Sequence, residues 1–261
     1  MVDESVLDRI VVAVRARLDA SPEPAELRRR AYRAVEHRDR RSLAAALAVD
    51  RPAVIAECKR ASPSAGLLNA DFNPVNLARA YEAAGAAAIS VVTEPDFFRG
   101  RLDWLAEVRA AVVGLPVLRK DFIVEERQLR ETAASGADAV LLIQRILPSE
   151  RLTELVGVAR ELGLETLVEI FVDEEPGPAI ASGTEIIGVN ARDLATFTTR
   201  LDRVEAMADR LPETVVRVAE SGISSRDDIL RLQTAGYDGF LVGEHLVRAD
   251  DPELALRRLR G

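Results

Sequence analysis

The chain has 261 residues, of which 48% are hydrophobic and 30% charged, a composition typical of a globular protein with one sizeable core. Its formal net charge of −8 argues against a nucleic-acid-binding surface as its main function, but a small anionic ligand can still bind in a locally basic pocket. One cysteine and two histidines exclude an intramolecular disulfide and leave few ligands for zinc, so we expect no metal site and a reducing, cytoplasmic location.

Residues 1–50 precede the first predicted strand and contain two helical stretches. VLDRIVVAVRARLDA (6–20) and AELRRRAYRAV (25–35) show helical periodicity, and SPEP (21–24) separates them. The first residues are acidic where a signal peptide is basic, and no apolar run reaches the ~18 residues that cross a membrane. We therefore expect a cytoplasmic protein without membrane contact, and an N-terminal extension of two or three helices packed on the following domain.

Four segments of the chain share one pattern and predict buried strands. In each, a small residue and a glycine end a helix, two residues follow, and an apolar run begins. This order is typical of a helix, a tight turn and a strand buried on both faces. The segments are AGAAAISVV (84–92), SGADAVLLI (135–143), SGTEIIGV (182–189) and AGYDGFLVG (235–243).

Four further apolar runs alternate with these segments: VIAECK (54–59), LPVLRK (115–120), LETLVEI (164–170) and VVRVAE (215–220). Amphipathic stretches such as PVNLARAYEAA (74–84) lie between the strands. This alternation predicts an α/β fold, a (β/α)8 TIM barrel over residues 51–261 that carries the N-terminal helical extension. An open doubly wound sheet is the alternative, although no glycine-rich dinucleotide or phosphate-loop motif follows the first strand.

Charged and polar residues end most of the predicted strands, and a barrel brings these ends to one mouth. Glu57 and Lys59 share a face of the first strand because side chains alternate, and Cys58 between them faces the helices as a buried thiol. The other strand ends carry Glu94, Lys120, Asp121, Glu169, Asn190, Arg192, Glu220 and Glu244. So many charges at one mouth indicate a functional site, since an unpaired buried charge costs several kcal/mol.

Glycines follow the last two strands, in ESGIS (220–224) and VGEHL (242–246). Backbone N–H groups in these loops of a barrel often bind phosphate, although glycine also serves turn geometry alone. Lys59 and the hydroxyls of Ser62 and Ser64 lie at the same rim. A phosphorylated small molecule is therefore the expected ligand.

The order of these motifs resembles that of the indole-3-glycerol phosphate synthase family of tryptophan biosynthesis. The resemblance extends from about residue 50 to the end of the chain, and the helical extension also fits it. It is carried by VIAECKRASPSAG (54–66), SVVTEPDFFRG (90–100), LPVLRKDFIV (115–124), ETLVEI (165–170), IIGVNARDL (186–194), RVAESGI (217–223) and GFLVGE (239–244). The resemblance implies a carbon–carbon lyase that closes a ring on 1-(2-carboxyphenylamino)-1-deoxyribulose 5-phosphate and then loses carbon dioxide and water, without a cofactor.

The resemblance also implies catalytic roles. Lys120 should protonate the carbonyl during ring closure, and Glu169 should act as a second acid–base group or as its electrostatic partner. Glu57 should work in the dehydration, with Lys59 paired to it or contacting the phosphate, although the division among Glu57, Lys59 and Glu169 stays open. Asn190 and Glu220 should position substrate hydroxyls and neighbouring charges.

Substrate-binding roles follow from the same motifs. Arg192 and Ser62 should receive the anthranilate carboxylate, because a planar guanidinium matches a carboxylate. The aromatic ring should lie against Phe98, Phe122 and Leu141 or Leu142. The phosphate should contact Lys59, Ser221, Gly222, Gly243 and the backbone of Glu244.

Three positions depart from the common pattern of the family. Ala191 replaces a frequent second asparagine and should be dispensable. Phe171 replaces a common histidine and should alter the rim. His245 replaces a small residue, with a packing or surface role favoured over a phosphate contact.

Other barrel functions remain as alternatives at this point. A phosphoribosylanthranilate isomerase would use a cysteine–aspartate pair, and a Schiff-base aldolase would use Lys120 as the amine. A scaffold or regulatory protein that kept the barrel is the non-enzyme alternative. For the oligomeric state we expect a monomer or a weak homodimer.

Overall fold

A computed structural model of the chain describes residues 5–37, 39–49, 52–192 and 198–261. Eight parallel strands form a closed barrel in which each strand pairs with its neighbours in chain order and the last pairs with the first. The strands are β1 (Ala53–Cys58), β2 (Ala88–Val92), β3 (Val117–Lys120), β4 (Ala139–Ile143), β5 (Glu165–Phe171), β6 (Ile186–Asn190), β7 (Val216–Glu220) and β8 (Gly239–Val242). The predicted TIM barrel is confirmed, and the open sheet is wrong.

Helices alternate with the strands and cover the outside of the barrel. They are α1 (Val6–Ala20), α2 (Ala25–His37), α3 (Leu43–Val49), α4 (Pro74–Ala83), α5 (Asp103–Ala111), α6 (Glu126–Ala134), α7 (Ser149–Glu161), α8 (Gly177–Ala181), α9 (Leu201–Ala208), α10 (Arg226–Thr234), α11 (Glu244–Val247) and α12 (Pro252–Arg260). Glycines end several of them with left-handed backbone angles, as at Gly85 (φ 82°) and Gly136 (φ 78°), where residues with a Cβ would be strained. None of the helices in the described ranges is long and apolar enough to cross a bilayer.

Side chains of the strands divide into two cores. Every second residue, such as Ile55 on β1 and Leu118 on β3, points into the barrel. The residues between them, such as Val54, pack against the helices in a larger outer core. This alternation explains why the strands are apolar almost throughout, since both faces are buried.

The first three helices pack against the barrel at three different places. Helix α3 inserts Leu43 and Leu47 into the inner core at the N-terminal end of the strands, opposite the mouth. Helix α2 packs on α6, and α1 packs with Ile10 and Val14 on the loops at the mouth. Among the described residues, the N-terminal extension thus consists of three helices that pack on different parts of the barrel. Its predicted boundary at residues 50 and 51 lies outside them.

The loop after β1 folds back over the rim as a short antiparallel hairpin. Ala61–Ser62 pairs with Gly66–Leu67, with Pro63 and Ser64 at the turn. This places Ser62, whose side chain is buried, beside the mouth rather than away from it.

Candidate active site

A cavity of about 610 Å³ opens at the C-terminal ends of the strands. Of the residues that the sequence analysis nominated, Glu94 and Leu142 do not line it, and the following do: Glu57, Lys59, Ser62, Phe98, Lys120, Phe122, Leu141, Glu169, Asn190, Arg192, Ser221, Glu220, Gly222, Gly243 and Glu244. Their convergence follows from the closed barrel, because inward-facing residues at the ends of eight strands have nowhere else to point.

Lys120 lies at the centre of this cavity, between two carboxylates. Its Nζ is 2.9 Å from Oε2 of Glu169 and 3.2 Å from Oε2 of Glu220. The two glutamate side chains are 3% and 1% exposed, whereas that of Lys120 is 18% exposed. The ammonium group therefore remains accessible from the cavity while the carboxylates support it from the barrel wall.

A second ion pair joins Glu57 and Lys59, whose Oε1 and Nζ atoms are 2.7 Å apart. Both side chains leave the same face of β1, as their parity predicts. Gly243 at the end of β8 leaves space for this pair, since a Cβ atom there would collide with the Glu57 carboxylate. Gly188 on β6 leaves space for the carboxylate of Glu220 in the same way.

The two ion pairs perturb the pKa values of their members. Burial disfavours a charged amine, but the carboxylates of Glu169, Glu220 and Glu57 outweigh it and raise the pKa of Lys120. Burial likewise opposes ionisation of Glu57, but Lys59 and Lys120 outweigh it and lower the pKa of Glu57. Lys120 therefore stays cationic and Glu57 stays anionic near neutral pH.

Unlike Glu57, Glu220 is mostly protonated near neutral pH. Burial is the main cause that raises its pKa to about 8, and the nearby Glu169 adds to this, although Lys120 opposes both. One carboxylate of this pair is thus largely neutral near pH 7. A neutral carboxyl can donate a hydrogen bond, which an ionised one cannot.

Aromatic and aliphatic side chains form one wall of the cavity. The ring centroids of Phe98 and Phe122 are 5.9 Å apart, and Leu141 lines the same cavity. Leu142 belongs to the outer core, so of the two leucines considered only Leu141 reaches the cavity. The sequence analysis missed three further members of this wall, which α1 contributes: Val6, Leu7 and Ile10.

The opposite rim is polar. Arg192 donates a hydrogen bond from Nη1 to the Ser64 hydroxyl (3.3 Å), and its Nη2 is 3.8 Å from the Glu244 carboxylate. Glu244 also pairs with Arg248 (3.2 Å), a cavity residue that the motifs did not indicate. The Asn190 Oδ1 atom accepts a hydrogen bond from the backbone N–H of Arg192 (3.0 Å), which fixes the start of the loop after β6. The remainder of the NARDL motif, Asp193 and Leu194, lies outside the described residues.

The glycine-containing loop after β7 has an unusual backbone. Ser221 (φ 68°) and Gly222 (φ 76°) both have left-handed conformations, which for serine requires support from the surroundings. Both residues line the cavity beside Gly243. In the strand order, β7 lies across the barrel from β3, which Phe122 follows, and β8 lies across from β4, which carries Leu141.

Glu94 and Asp121 follow strand ends, but their carboxylates do not point into the mouth as the sequence analysis expected. Glu94 is fully buried and turns away from the mouth into the backbone of its own loop. Asp121 borders the cavity, but its carboxylate pairs with Arg119 at 2.9 Å in the outer layer. Lys120 pairs with Glu169 on the inner side, so the adjacent Lys120 and Asp121 point to opposite faces.

The three departures from the family pattern have identifiable surroundings. Ala191 is fully buried, and Phe171 lines the cavity with the Arg145 guanidinium 4.5 Å from its ring centroid. His245 is exposed at the rim and also lines the cavity. Phe171 thus extends the apolar wall, in agreement with an altered rim.

Cys58 takes no part in this site. Its thiol is buried under α4, 3.7 Å from the carbonyl oxygen of Pro74, and burial raises its pKa well above the ordinary value. A thiol that stays protonated is a poor acid–base group at neutral pH. This geometry removes the cysteine that the isomerase alternative needs. No group of three or more potential metal ligands occurs within the described ranges.

The fold and site together define a barrel enzyme whose acid–base groups surround a pocket for a partly aromatic, anionic small molecule. Comparison with solved structures agrees at the level of fold. A mutant tryptophan synthase alpha-subunit from Pyrococcus furiosus matches 80% of this chain and 97% of its own with a TM-score of 0.63 and 17% identity. A 3-hexulose-6-phosphate synthase matches 80% of this chain and 98% of its own with a TM-score of 0.64 and 16% identity.

Comparison with known sequences also identifies the family. The family model described as indole-3-glycerol phosphate synthase matches residues 7–259. The indole-3-glycerol phosphate synthase of Carboxydothermus hydrogenoformans is 48% identical over 90% of both chains. That of Rhodopirellula baltica is 45% identical over 98% of both. The chain belongs to the indole-3-glycerol phosphate synthase family.

Proposed function

We propose that this chain converts 1-(2-carboxyphenylamino)-1-deoxyribulose 5-phosphate into indole-3-glycerol phosphate, carbon dioxide and water, as a carboxy-lyase of tryptophan biosynthesis. One observation carries the proposal: the Lys120 ammonium lies between the carboxylates of Glu169 and Glu220, in a cavity with an aromatic wall and a glycine-containing rim. Such a site suits a substrate that has an aromatic ring at one end and a phosphate at the other.

The first step closes the five-membered ring. A ring carbon of the substrate attacks the ketone carbon, and the ketone oxygen takes up a proton from Lys120 as its carbon–oxygen double bond becomes single. Because Glu169 and the more distant Glu57 keep Lys120 cationic, the ammonium stabilises the negative charge that develops on this oxygen. An alkoxide is a stronger base than an amine, so the proton transfer remains favourable even from a lysine with a raised pKa.

Decarboxylation follows, and its electron pair restores the unsaturation of the ring that the attack removed. The carboxylate leaves as carbon dioxide, so no acid is required at that atom. We assign Arg192 and Ser62 to this carboxylate before it leaves, and Phe98, Phe122 and Leu141 to the ring. Enclosure by apolar side chains favours loss of the charge.

The last step removes water, and the second ion pair suits it. Lys59 donates a proton to the leaving hydroxyl, and Glu57 accepts the proton that the substrate loses as the indole forms. The lowered pKa of Glu57 supports a base at this position, and its 2.7 Å contact supports exchange of a proton with Lys59. Glu169 then remains the electrostatic partner of Lys120.

The remaining residues hold the substrate chain. Neutral Glu220 and Asn190 are suited to substrate hydroxyls, since both can donate and accept hydrogen bonds. The phosphate is assigned to Lys59, Ser221, Gly222, Gly243 and the backbone of Glu244. The side chain of Glu244 points instead towards Arg192 and Arg248, so it does not face the anion.

The alternatives fit the geometry less well. A Schiff-base aldolase needs a neutral lysine amine, and the three carboxylates around Lys120 oppose that state. A phosphoribosylanthranilate isomerase needs an accessible cysteine, whereas Cys58 is buried below the helices.

The direct test adds the carboxyphenylamino-deoxyribulose phosphate to purified protein and follows indole fluorescence. We expect turnover in the parent and in Cys58→Ser, and loss of it in Lys120→Met. If the parent yields no indole product, the proposed reaction is wrong. Conversion of phosphoribosylanthranilate by the parent, lost in a folded Cys58→Ser variant, would instead favour the isomerase.

We also propose that the enzyme works in the cytoplasm as a monomer or weak homodimer, without nucleic-acid or membrane partners. The single cysteine supports the location. Light scattering after size-exclusion chromatography at several concentrations tests the oligomeric state, and a stable tetramer would contradict it.

A further inference from the structure

Glu94, at the start of the loop after β2, is a fully buried carboxylate with an unusual set of partners. Its Oε1 accepts the backbone N–H of Asp96 (3.0 Å). Its Oε2 accepts the backbone N–H groups of Phe97 (2.7 Å) and Phe98 (3.0 Å). One side chain thus satisfies three consecutive amides, and hydrogen bonds to an ionised acceptor are stronger than neutral ones.

The same loop has a backbone that needs such support. Arg99, next to Phe98, adopts a left-handed conformation (φ 53°) that is unfavourable for a residue with a Cβ. Gly100 then returns to the strand so closely that a Cβ atom would collide with the Val92 carbonyl. Its N–H donates to the backbone carbonyl of Glu94 (2.7 Å). Glu94 therefore closes the loop through both its side chain and its backbone.

The loop is also tied to the N-terminal extension. Arg17 on α1 pairs with Asp96, and its Nη1 is 3.7 Å from Oε1 of Glu94. Helix α1 packs on Phe97, Phe98 and Phe122, and contributes its own apolar side chains to the cavity. Glu94 thus contacts both the backbone of the loop that carries Phe98 and the arginine that ties α1 to this loop.

We propose that Glu94 is a positioning residue for substrate binding. Acting through the backbone N–H groups of the loop, it holds the Phe98 ring against the aromatic ring of the substrate, and through Arg17 it fixes α1 over the same wall. This inference rests on the proposed function, because the ring to be held is that of the proposed substrate. Glu94 itself lies outside the cavity and touches no reacting atom.

The test is a double-mutant cycle with Glu94→Gln and Phe98→Ala. The glutamine keeps the volume but turns an NH2 group towards amides that need an acceptor. We expect Glu94→Gln to raise KM for the substrate and weaken binding of anthranilate about three- to tenfold, which is the range of one aromatic contact. The kcat and the affinity for inorganic phosphate should stay within about twofold. In the Phe98→Ala background, Glu94→Gln should have little further effect on KM.

Asp138→Asn is the matched control for stability. Its buried carboxylate also accepts backbone N–H groups, from Val117 (3.0 Å) and Arg41 (3.3 Å), but it lies at the end of the barrel opposite the mouth. We expect this variant to lower the melting temperature without a change in KM or anthranilate affinity. Should Glu94→Gln fail to fold, Arg17→Met, a change at a half-buried position on α1, replaces it in the cycle with the same expectation at about two- to threefold.

The results separate the two proposals. Additive effects of Glu94→Gln and Phe98→Ala on KM would overturn the positioning role, as would an unchanged KM accompanied by a fall in melting temperature like that of Asp138→Asn. If the parent does not turn over the substrate, the proposed function fails. The anthranilate titrations still report then whether Glu94 acts on the aromatic wall.

Discussion

Replacement of Lys120 by methionine tests the centre of the proposed mechanism. Methionine is similar to lysine in length and shape, so the change removes the ammonium with little loss of packing. The buried Glu169 carboxylate, 2.9 Å from Nζ, loses its counter-ion, and the buried Glu220 carboxyl, 3.2 Å from Nζ, loses a polar contact. The substitution therefore affects the chemistry and the electrostatics of the free enzyme together, and the two effects have to be measured separately.

The expected loss of turnover follows from the role of Lys120 as a proton donor. A positioned general acid contributes about 10²- to 10⁴-fold to the rate, which corresponds to about 3–5 kcal/mol of barrier. Loss of one partner from a buried ion pair costs about 3–5 kcal/mol in stability. The cost here should lie at the lower end of this range, because Glu220, with a pKa of about 8, is already largely neutral and only Glu169 is left as an unpaired charge.

The assay measures kcat and KM by indole fluorescence, the affinity for inorganic phosphate by calorimetry, and the free energy of unfolding in urea. We expect kcat to fall by at least 10²-fold while phosphate affinity changes by less than threefold. Lys120→Arg is the matched control for charge, because it keeps the cation but not the compact ammonium. Turnover of Lys120→Met within tenfold of the parent, or a larger loss in phosphate affinity than in kcat, would refute the assignment.

Three further predictions concern groups around this centre. The pKa of Glu220 is raised from 4.5 to about 8, so the folded chain keeps a proton that the unfolded chain loses, and stability falls as pH rises between these values by up to about 1.4 kcal/mol per unit. Glu220→Gln should abolish this slope in urea unfolding from about pH 5 to 8, and an unchanged slope contradicts the shifted pKa. Arg192→Lys should raise KM about 10- to 100-fold with a smaller change in kcat, since a charged hydrogen bond contributes about 1.5–3 kcal/mol; an unchanged KM removes Arg192 from the carboxylate site. Gly243→Ala should lower kcat as well as raise KM, because its Cβ displaces the Glu57 carboxylate from Lys59. An effect on KM alone would show that the Glu57–Lys59 pair tolerates the methyl group.

The parity of side chains along strands was the most reliable guide to the site. It separated Glu57 and Lys59 from Cys58, and the barrel then brought residues from distant strands together without further information. What it missed depends on tertiary docking. The apolar periodicity of α1 indicates a buried face, but nothing local indicates that Leu7 and Ile10 meet the mouth rather than the outer helices.

The positions of charged side chains just beyond the strand ends were predicted less accurately. Once the chain leaves the strand, the alternation of faces no longer applies, so Glu94 looked like a mouth residue although it binds the backbone of its own loop. Asp121 was assigned to the mouth by its neighbour Lys120, whereas the buried Arg119 holds its carboxylate on the outer side. Parity therefore separates Asp121 from the mouth but not Glu94, which lies two residues beyond the cavity-lining Val92 and still turns into its own loop.

One compositional signal in the sequence would have marked the catalytic centre independently. The chain has 35 lysines and arginines, and only two of them, Lys59 and Lys120, are lysines. The others are arginines. In the mouth, the Lys120 ammonium lies between the buried carboxyl groups of Glu169 and Glu220, and the Lys59 ammonium pairs with the buried Glu57; the larger planar guanidinium would need several acceptors in one plane there. The use of lysine at these two points alone supports the proposal that Lys59 and Lys120 act as proton donors, because that role distinguishes an ammonium from a guanidinium group.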